Sequence, residues 1–310
     1  MIPKCRFRWF SSAVAAALVS LACLPVVDAL MTDRVPPDQL YPSLPKTAVT
    51  RRFAWEDVNT WRLLRVEGDR QIFDARFPAL RFTLEVVIDP LRLQKAVESY
   101  GIPESWMRYS FRTEEERRRK EKEQTLRCAA RGIARDPSPN SLEPDYYWIV
   151  ERSREDVREA AARLRDVGLQ AGYDDLRRFV ELSASFVQSL EYRLPPDTRR
   201  GRDGVLIRTF GLTMPLETLY NGHGDCDTKS VLFASLLVNL ADTRLILLRG
   251  ANHLFAGVRA QPRRSECFVR IRGETFVLIE LTHPWRVGHI PKENWHAVQL
   301  KQMEIIPLFR

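Results

Sequence analysis

The stretch Gly222-His223-Gly224-Asp225-Cys226-Asp227-Thr228-Lys229-Ser230 runs without a break into Val231-Leu232-Phe233-Ala234-Ser235-Leu236-Leu237-Val238-Asn239-Leu240. A Gly-rich turn therefore feeds an apolar segment of helical character, with one cysteine at the junction. The start of a helix carries unpaired N–H groups and the positive end of the dipole, which favours an anion there. A thiol at such a start is expected to have a lowered pKa and to act as a nucleophile near neutral pH. The fold has to present this junction on a helix packed against something apolar.

The chain beyond that helix is strand-like. Arg244–Leu248, His253–Arg259, Cys267–Ile271 and Phe276–Leu281 are short apolar runs, the last two facing each other across Arg272-Gly273-Glu274. A Cys-bearing helix with an antiparallel meander after it predicts an α+β domain. Three residues of the right types fall in order along it. Cys226 opens the helix, His253 opens one strand and Glu280 ends another. A thiol needs a base to take its proton, and an imidazole needs a carboxylate to fix its tautomer. His223 is a rival base by proximity in sequence, but neighbouring turn residues rarely face each other. His283, His289 and His296 are scattered and share no zinc-ligand spacing with cysteines, so neither a metal nor a cofactor is expected. Trp285 and Trp295 read as packing residues, with a cleft wall as the alternative.

The segment before the junction is less regular. Asp174–Leu190 has apolar residues at helical spacing, and Arg154–Val167 reads as a helix capped by Ser153. Tyr146–Val150 reads as a strand, and 193–222 as a long loop. Asp136-Pro137-Ser138-Pro139-Asn140 is the best domain boundary, dividing an N-terminal mixed α/β region (51–140) from a C-terminal domain (141–310). In the N-terminal region, Trp61–Val66 and Leu80–Ile88 alternate as half-buried strands, and Leu91–Tyr100 and Thr113–Ala134 read as helices. The acids and bases of the latter suit a solvated face with i,i+4 pairs.

The first 29 residues carry Lys4, Arg6 and Arg8 ahead of an apolar run, Trp9–Val27, and end in Val27-Asp28-Ala29, as an export signal does. Two other fates fit the same run: an anchor of about 19 residues left in the membrane, and, through Ser20-Leu21-Ala22-Cys23, a lipoprotein. Residues 30–50 form a Pro-rich linker. Cleavage would remove three bases and one acid and take the net charge from +8 to +6. The excess charge is dispersed among Arg/Glu runs, which speaks against a nucleic-acid partner. Of five cysteines, Cys5 and Cys23 lie in the leader. The remaining three leave Cys226 free in the simplest reading, with a Cys128–Cys267 bridge open as an alternative.

Gly224-Asp225-Cys226-Asp227-x-Lys229-Ser230, with its Leu-rich continuation, resembles the nucleophile motif of the bacterial transglutaminase-like superfamily, whose fold is similar to that of papain-type cysteine peptidases. Pro215-Leu216-Glu217-Thr218-Leu219 resembles the segment before the nucleophile. Phe186–Tyr192 resembles a helix end that carries an oxyanion-stabilising Gln, here Gln188. Val277–Thr282 resembles the strand with the acid. The resemblance covers roughly residues 145–290. It implies a papain-like core in which Cys226, His253 and Glu280 form a triad acting on a protein or peptide substrate; the export signal places this in the periplasm, or at the membrane if residues 9–27 stay as an anchor. Glu280 departs from the commoner Asp, and Arg249–Asn252 from the usual Pro-Gly before the His. Some relatives hold calcium beside the nucleophile; Asp225 and Asp227 stand at that place, without further acids nearby to complete an oxygen cage. A catalytically silent binding module of the same fold is the rival reading, and a purely structural envelope protein the third.

Overall fold

In the computed structural model, residues 44–309 are described, apart from 68–69, 78, 109, 136–140 and 251–252. The expected leader and most of the Pro-rich stretch lie outside the described residues, as does the expected boundary at 136–140. No helix among the described residues is long and apolar enough to cross a membrane.

The chain opens with β1 (Val49–Glu56), β2 (Leu63–Glu67), β3 (Arg70–Phe73) and β4 (Arg81–Ile88). β1 and β4 pair antiparallel from Val49↔Ile88 to Glu56↔Arg81. Strict alternation in β4 buries Phe82, Leu84, Val86 and Ile88 and exposes the residues between them. β2 and β3 form a separate hairpin. Helix α1 (Pro90–Ser99) has Pro at its first position, and the Asp89 side chain accepts from Arg92 N at 2.7 Å. Helix α2 (Glu114–Ala129) is capped by Thr113 and laced by Glu114–Arg117, Glu116–Lys120 and Glu123–Arg127 pairs. These pairs fit the solvated-face reading.

Tyr146–Val150 belongs to helix α3 (Tyr146–Ser153), not to a strand. Aromatic and β-branched residues favour strands, but here Asp145 caps a helix by accepting from Trp148 N at 2.9 Å, and Tyr146, Ile149 and Val150 fall on its buried face. Ser153 ends α3 instead of capping its successor, α4 (Arg158–Gln170), which starts at Val157 with no side-chain cap. Helix α5 (Leu176–Ser189) is capped by Asp175. The 193–222 stretch is not a bare loop. Thr198–Arg200 and Leu206–Arg208 pair as short strands, and α6 (Pro215–Asn221) comes next.

Helix α7 (Cys226–Leu240) is the centre of the molecule. It touches α3, α4, α5 and α6 and lies against the C-terminal sheet. Val231–Leu237 are all buried, so the helix is buried on every side. The sheet joins β5 (Leu245–Arg249), β6 (Leu254–Arg259), β7 (Phe268–Ile271), β8 (Glu274–Ile279) and β9 (Glu304–Pro307) in the order β7-β8-β6-β5-β9, antiparallel throughout. Helix α8 (Lys292–Gln299) brings Trp295 and Val298 to a second cluster with Phe255, Phe276 and Leu278. His296 is thus helical, while His283 and His289 stay in the preceding loop. The architecture is mixed α+β with an antiparallel sheet.

One core crosses the expected boundary. Phe186 of α5 meets Phe53 and Trp55 of β1, with ring centroids 5.3 and 5.1 Å apart. Trp55 Nε1 donates to Ser185 Oγ at 3.1 Å, and Tyr173 OH donates to Asp57 Oδ2 at 2.6 Å.

Candidate active site

The turn before α7 is built by two glycines with different duties. Gly222 ends α6 at φ 75°, a left-handed conformation that Gly adopts without strain. Gly224 has ordinary backbone angles but no room, because a Cβ there would lie 2.6 Å from Thr228 Cγ2. Close approach lets the turn pair in parallel with the short strand just after α5, with His223 beside Glu191 and Gly224 beside Tyr192. Lys229, fully buried, reaches from the first turn of α7 to donate to Leu190 O at 2.6 Å. Burial lowers its pKa to about 8, against the raising influence of Glu280 and Asp225. Asp225 is the N-cap, accepting from Thr228 N at 3.0 Å. Burial and the neighbouring Asp227 raise its pKa to about 6.

Cys226 is therefore the first residue of α7, as expected, and is half-buried. Its thiol is not activated in the expected way. Burial pushes the pKa well above the ordinary thiol value, and the carboxylates of Asp227 and Asp225 push it further. The thiol donates to Asp227 Oδ1 at 3.3 Å, and Asp227 is held on its other oxygen by Tyr146 OH at 2.7 Å. Burial first, and then two adjacent carboxylates, act against the helix dipole, whose end charge is only about half an elementary charge. One contact acts the other way: the Leu254 N–H lowers the thiol pKa.

His253 and Glu280 come together as the sequence predicts. His253 immediately precedes β6 and Glu280 immediately follows β8, and these strands pair antiparallel with Ala256 opposite Ile279. The start of one strand thus meets the end of the other. His253 Nε2 lies 2.8 Å from Glu280 Oε2. Glu280 is 2% exposed. Its Oε1 accepts from Thr282 N at 2.7 Å and Thr282 Oγ1 at 2.6 Å. Burial raises its pKa, but the hydrogen bonds from His253 and Thr282 outweigh this, and the carboxyl stays below its usual range. The His253 ring packs edge-on against Phe255 at 4.4 Å. With Nε2 committed to Glu280, Nδ1 is the nitrogen left for a proton transfer. The thiol's hydrogen bond goes to Asp227 and not to this ring.

Gln188 is close to the site but is otherwise engaged. Its Nε2 donates to Glu280 O and to Trp285 O, both at 2.7 Å, which uses both amide hydrogens. It ties the end of α5 to the loop carrying the acid, and as it stands has no N–H to offer an oxyanion. The backbone N–H of Cys226 precedes the first intrahelical bond, Lys229 N to Asp225 O. Cys128, Cys226 and Cys267 are all free thiols, so the Cys128–Cys267 bridge is not formed. Burial raises the pKa of both Cys128 and Cys267.

A cleft of about 980 Å³ opens beside the His–Glu pair. His253, Glu280, Thr282 and Trp285 line it from the C-terminal half, and Arg70, Gln71 and Ile72 line it from the N-terminal half. Trp285 is thus both packed, at 3% exposure, and part of the wall. Among the described residues no group of three or more His, Cys, Asp or Glu side chains is gathered to hold a metal ion. Three residues of the site carry no role that the sequence announced. Lys229 sits in the motif, one helical turn after Cys226, and that spacing was a usable signal. Tyr146 and Gln71 are far from the junction in sequence, and nothing local marked them. Neither protein-family models, nor curated proteins, nor solved structures give a match to this chain.

Proposed function

We propose that the chain is an exported cysteine hydrolase of transglutaminase-like type, acting on a peptide bond or a Gln-type amide. The observation that carries this reading is the His253–Glu280 pair at 2.8 Å, its carboxylate buried, at the start of the strand β6 that packs on the helix beginning with Cys226. Nucleophilic catalysis needs a histidine oriented by a carboxylate within reach of a thiol, and the Leu254 N–H on the Cys226 thiol, one residue after His253, supports that placement. In this reading His253 Nδ1 takes the thiol proton, and the sulfur attacks the carbonyl carbon. The oxyanion is met by the Cys226 N–H at the helix start. The intermediate collapses, the amine leaves with the proton from His253, and a thioester remains. Water then attacks the thioester and releases acid and thiol, or an amine attacks and gives a new amide. The resting thiol must first leave Asp227, so substrate binding or a change at the first turn of α7 has to break that hydrogen bond.

The test is alkylation of the purified protein by iodoacetamide across pH, read residue by residue by mass spectrometry. Cys226 is expected to react faster than Cys128 and Cys267, with a rate that depends on His253. Equal reactivity of the three, unchanged in His253→Ala, sinks the proposal.

The thiol–Asp227 hydrogen bond and the raised thiol pKa favour a second reading, a binding module of the same fold with no catalysis. Complementation of a deletion strain by Cys226→Ala separates the two. Full complementation supports the binding module, and loss with folding intact supports the hydrolase.

A further inference from the structure

The cleft has a wall that the catalytic reading does not use. β3 is one strand of a two-stranded sheet, and among the described residues its backbone pairs only with β2. Three successive residues of it, Arg70, Gln71 and Ile72, line the cleft. Successive side chains of a strand point to opposite faces. One cavity meets three in a row when it runs along the strand's edge. Such an edge presents a row of unpaired N–H and C=O groups, a template for another strand.

Gln71 supplies a second, independent observation. It is only 8% exposed. Its Oε1 accepts from Arg286 N at 3.1 Å, which fixes the orientation of the amide. Its Nε2 has no hydrogen-bond partner among the described residues. A buried donor left unpaired costs roughly 1–3 kcal/mol, a cost removed when a carbonyl arrives. The loop that holds Gln71 is itself tied to the turn before β2: Val287 N donates to Asn59 Oδ1 at 2.8 Å, and the Arg286 guanidinium donates to Asn59 O at 3.1 Å.

We infer that the cleft takes an extended stretch of polypeptide, which adds to the outer edge of β3 as a further strand while Gln71 Nε2 donates to one of its carbonyls. Main-chain hydrogen bonds along the edge then supply affinity, and the side-chain pockets supply choice. This rests on the peptide-directed function proposed for the site and deepens it: the substrate is an unfolded linker or tail, not a free amide or a folded surface.

The test uses the full chain with Cys226→Ala, which leaves every cleft residue in place. The protein is mixed with a library of short unstructured peptides, and retained peptides are identified by mass spectrometry. Amide hydrogen exchange is then measured with the tightest one. Binding is expected to slow exchange at residues 70–73, and Gln71→Leu in the same background is expected to weaken binding about tenfold. Retention of no peptide overturns the inference. So does a bound peptide that leaves exchange at 70–73 unchanged. The wild-type chain given the same peptide separates the two ideas. Protection without turnover fails the hydrolase and keeps the extended-peptide cleft. Turnover without protection does the reverse.

Discussion

At the scale of single residues, the first turn of α7 holds two opposed influences. The helix end favours an anion at Cys226, while Asp225 and Asp227 disfavour a third negative charge beside them. Asp227→Asn removes the nearer carboxylate and lets the thiol ionise more readily. Alkylation of Cys226 at pH 7 is expected to speed up about tenfold, measured by the iodoacetamide rate. Unchanged or slower alkylation would show that Asp227 does not hold the thiol back. Asp225 gives a prediction with a definite sign in pH. Its folded pKa of about 6 exceeds the ordinary 3.8, so the native chain holds the proton more tightly than the unfolded chain does. The ionised carboxyl therefore costs stability, fully above pH 6 and not at all below pH 4. Asparagine caps a helix as well as aspartate. Asp225→Asn is then expected to stabilise the fold by about 2 kcal/mol at pH 7.5 and by nothing near pH 3.5. Urea unfolding at the two pH values checks it, and an equal effect at both would refute the cause.

At the scale of elements, the turn before α7 is held by close packing as much as by backbone freedom. Gly222→Ala meets no neighbouring atom but must hold φ 75°, at a cost of about 1 kcal/mol. Gly224→Ala has no φ penalty but collides with Thr228 Cγ2 and Cβ at 2.6 and 2.9 Å, and should cost about 1–3 kcal/mol. Only the second is expected to change the alkylation rate of Cys226, because only it displaces the first turn of α7. Thermal unfolding and alkylation of the two variants side by side measure this. The elements most legible in the sequence are β4, whose alternation follows one buried face, and α5, whose apolar residues recur at helical spacing although residues 179–188 are buried all round. Tyr146–Val150 was misread because five apolar residues in a row have no period. The deciding features were the cap at Asp145 and the surface of α7 that α3 packs on.

At the scale of the whole molecule, β1, β4 and α1 are built into the same core as the C-terminal half. Phe186 is fully buried and packs on Phe53 and Trp55 across the expected boundary. Phe186→Ala is expected to cost about 3–5 kcal/mol and to lower one cooperative transition, seen alike by near-UV and far-UV circular dichroism. Residues 141–310 expressed alone are expected not to fold, since α5 would expose the face that β1 covers. Two separate transitions, or a folded fragment, would show that the halves are independent.

The sequence by itself determined the Gly-rich turn at Cys226, the helix it opens, the antiparallel meander after it, and His253 and Glu280 as a pair. Those rest on local rules: glycine geometry, side-chain period, and a carboxylate placed where a strand would end. The tertiary structure alone decided the state of the thiol, the engagement of Gln188 and the composition of the cleft. The thiol's ionisation depends on burial and on Asp227, whose orientation is set by Tyr146, 81 positions away. Gln188 is committed by two carbonyls more than 90 residues distant. The cleft wall comes from a hairpin that nothing near Cys226 in the sequence specifies. Electrostatics and edge pairing are properties of neighbours in space, and a linear pattern carries no record of them until the chain has folded.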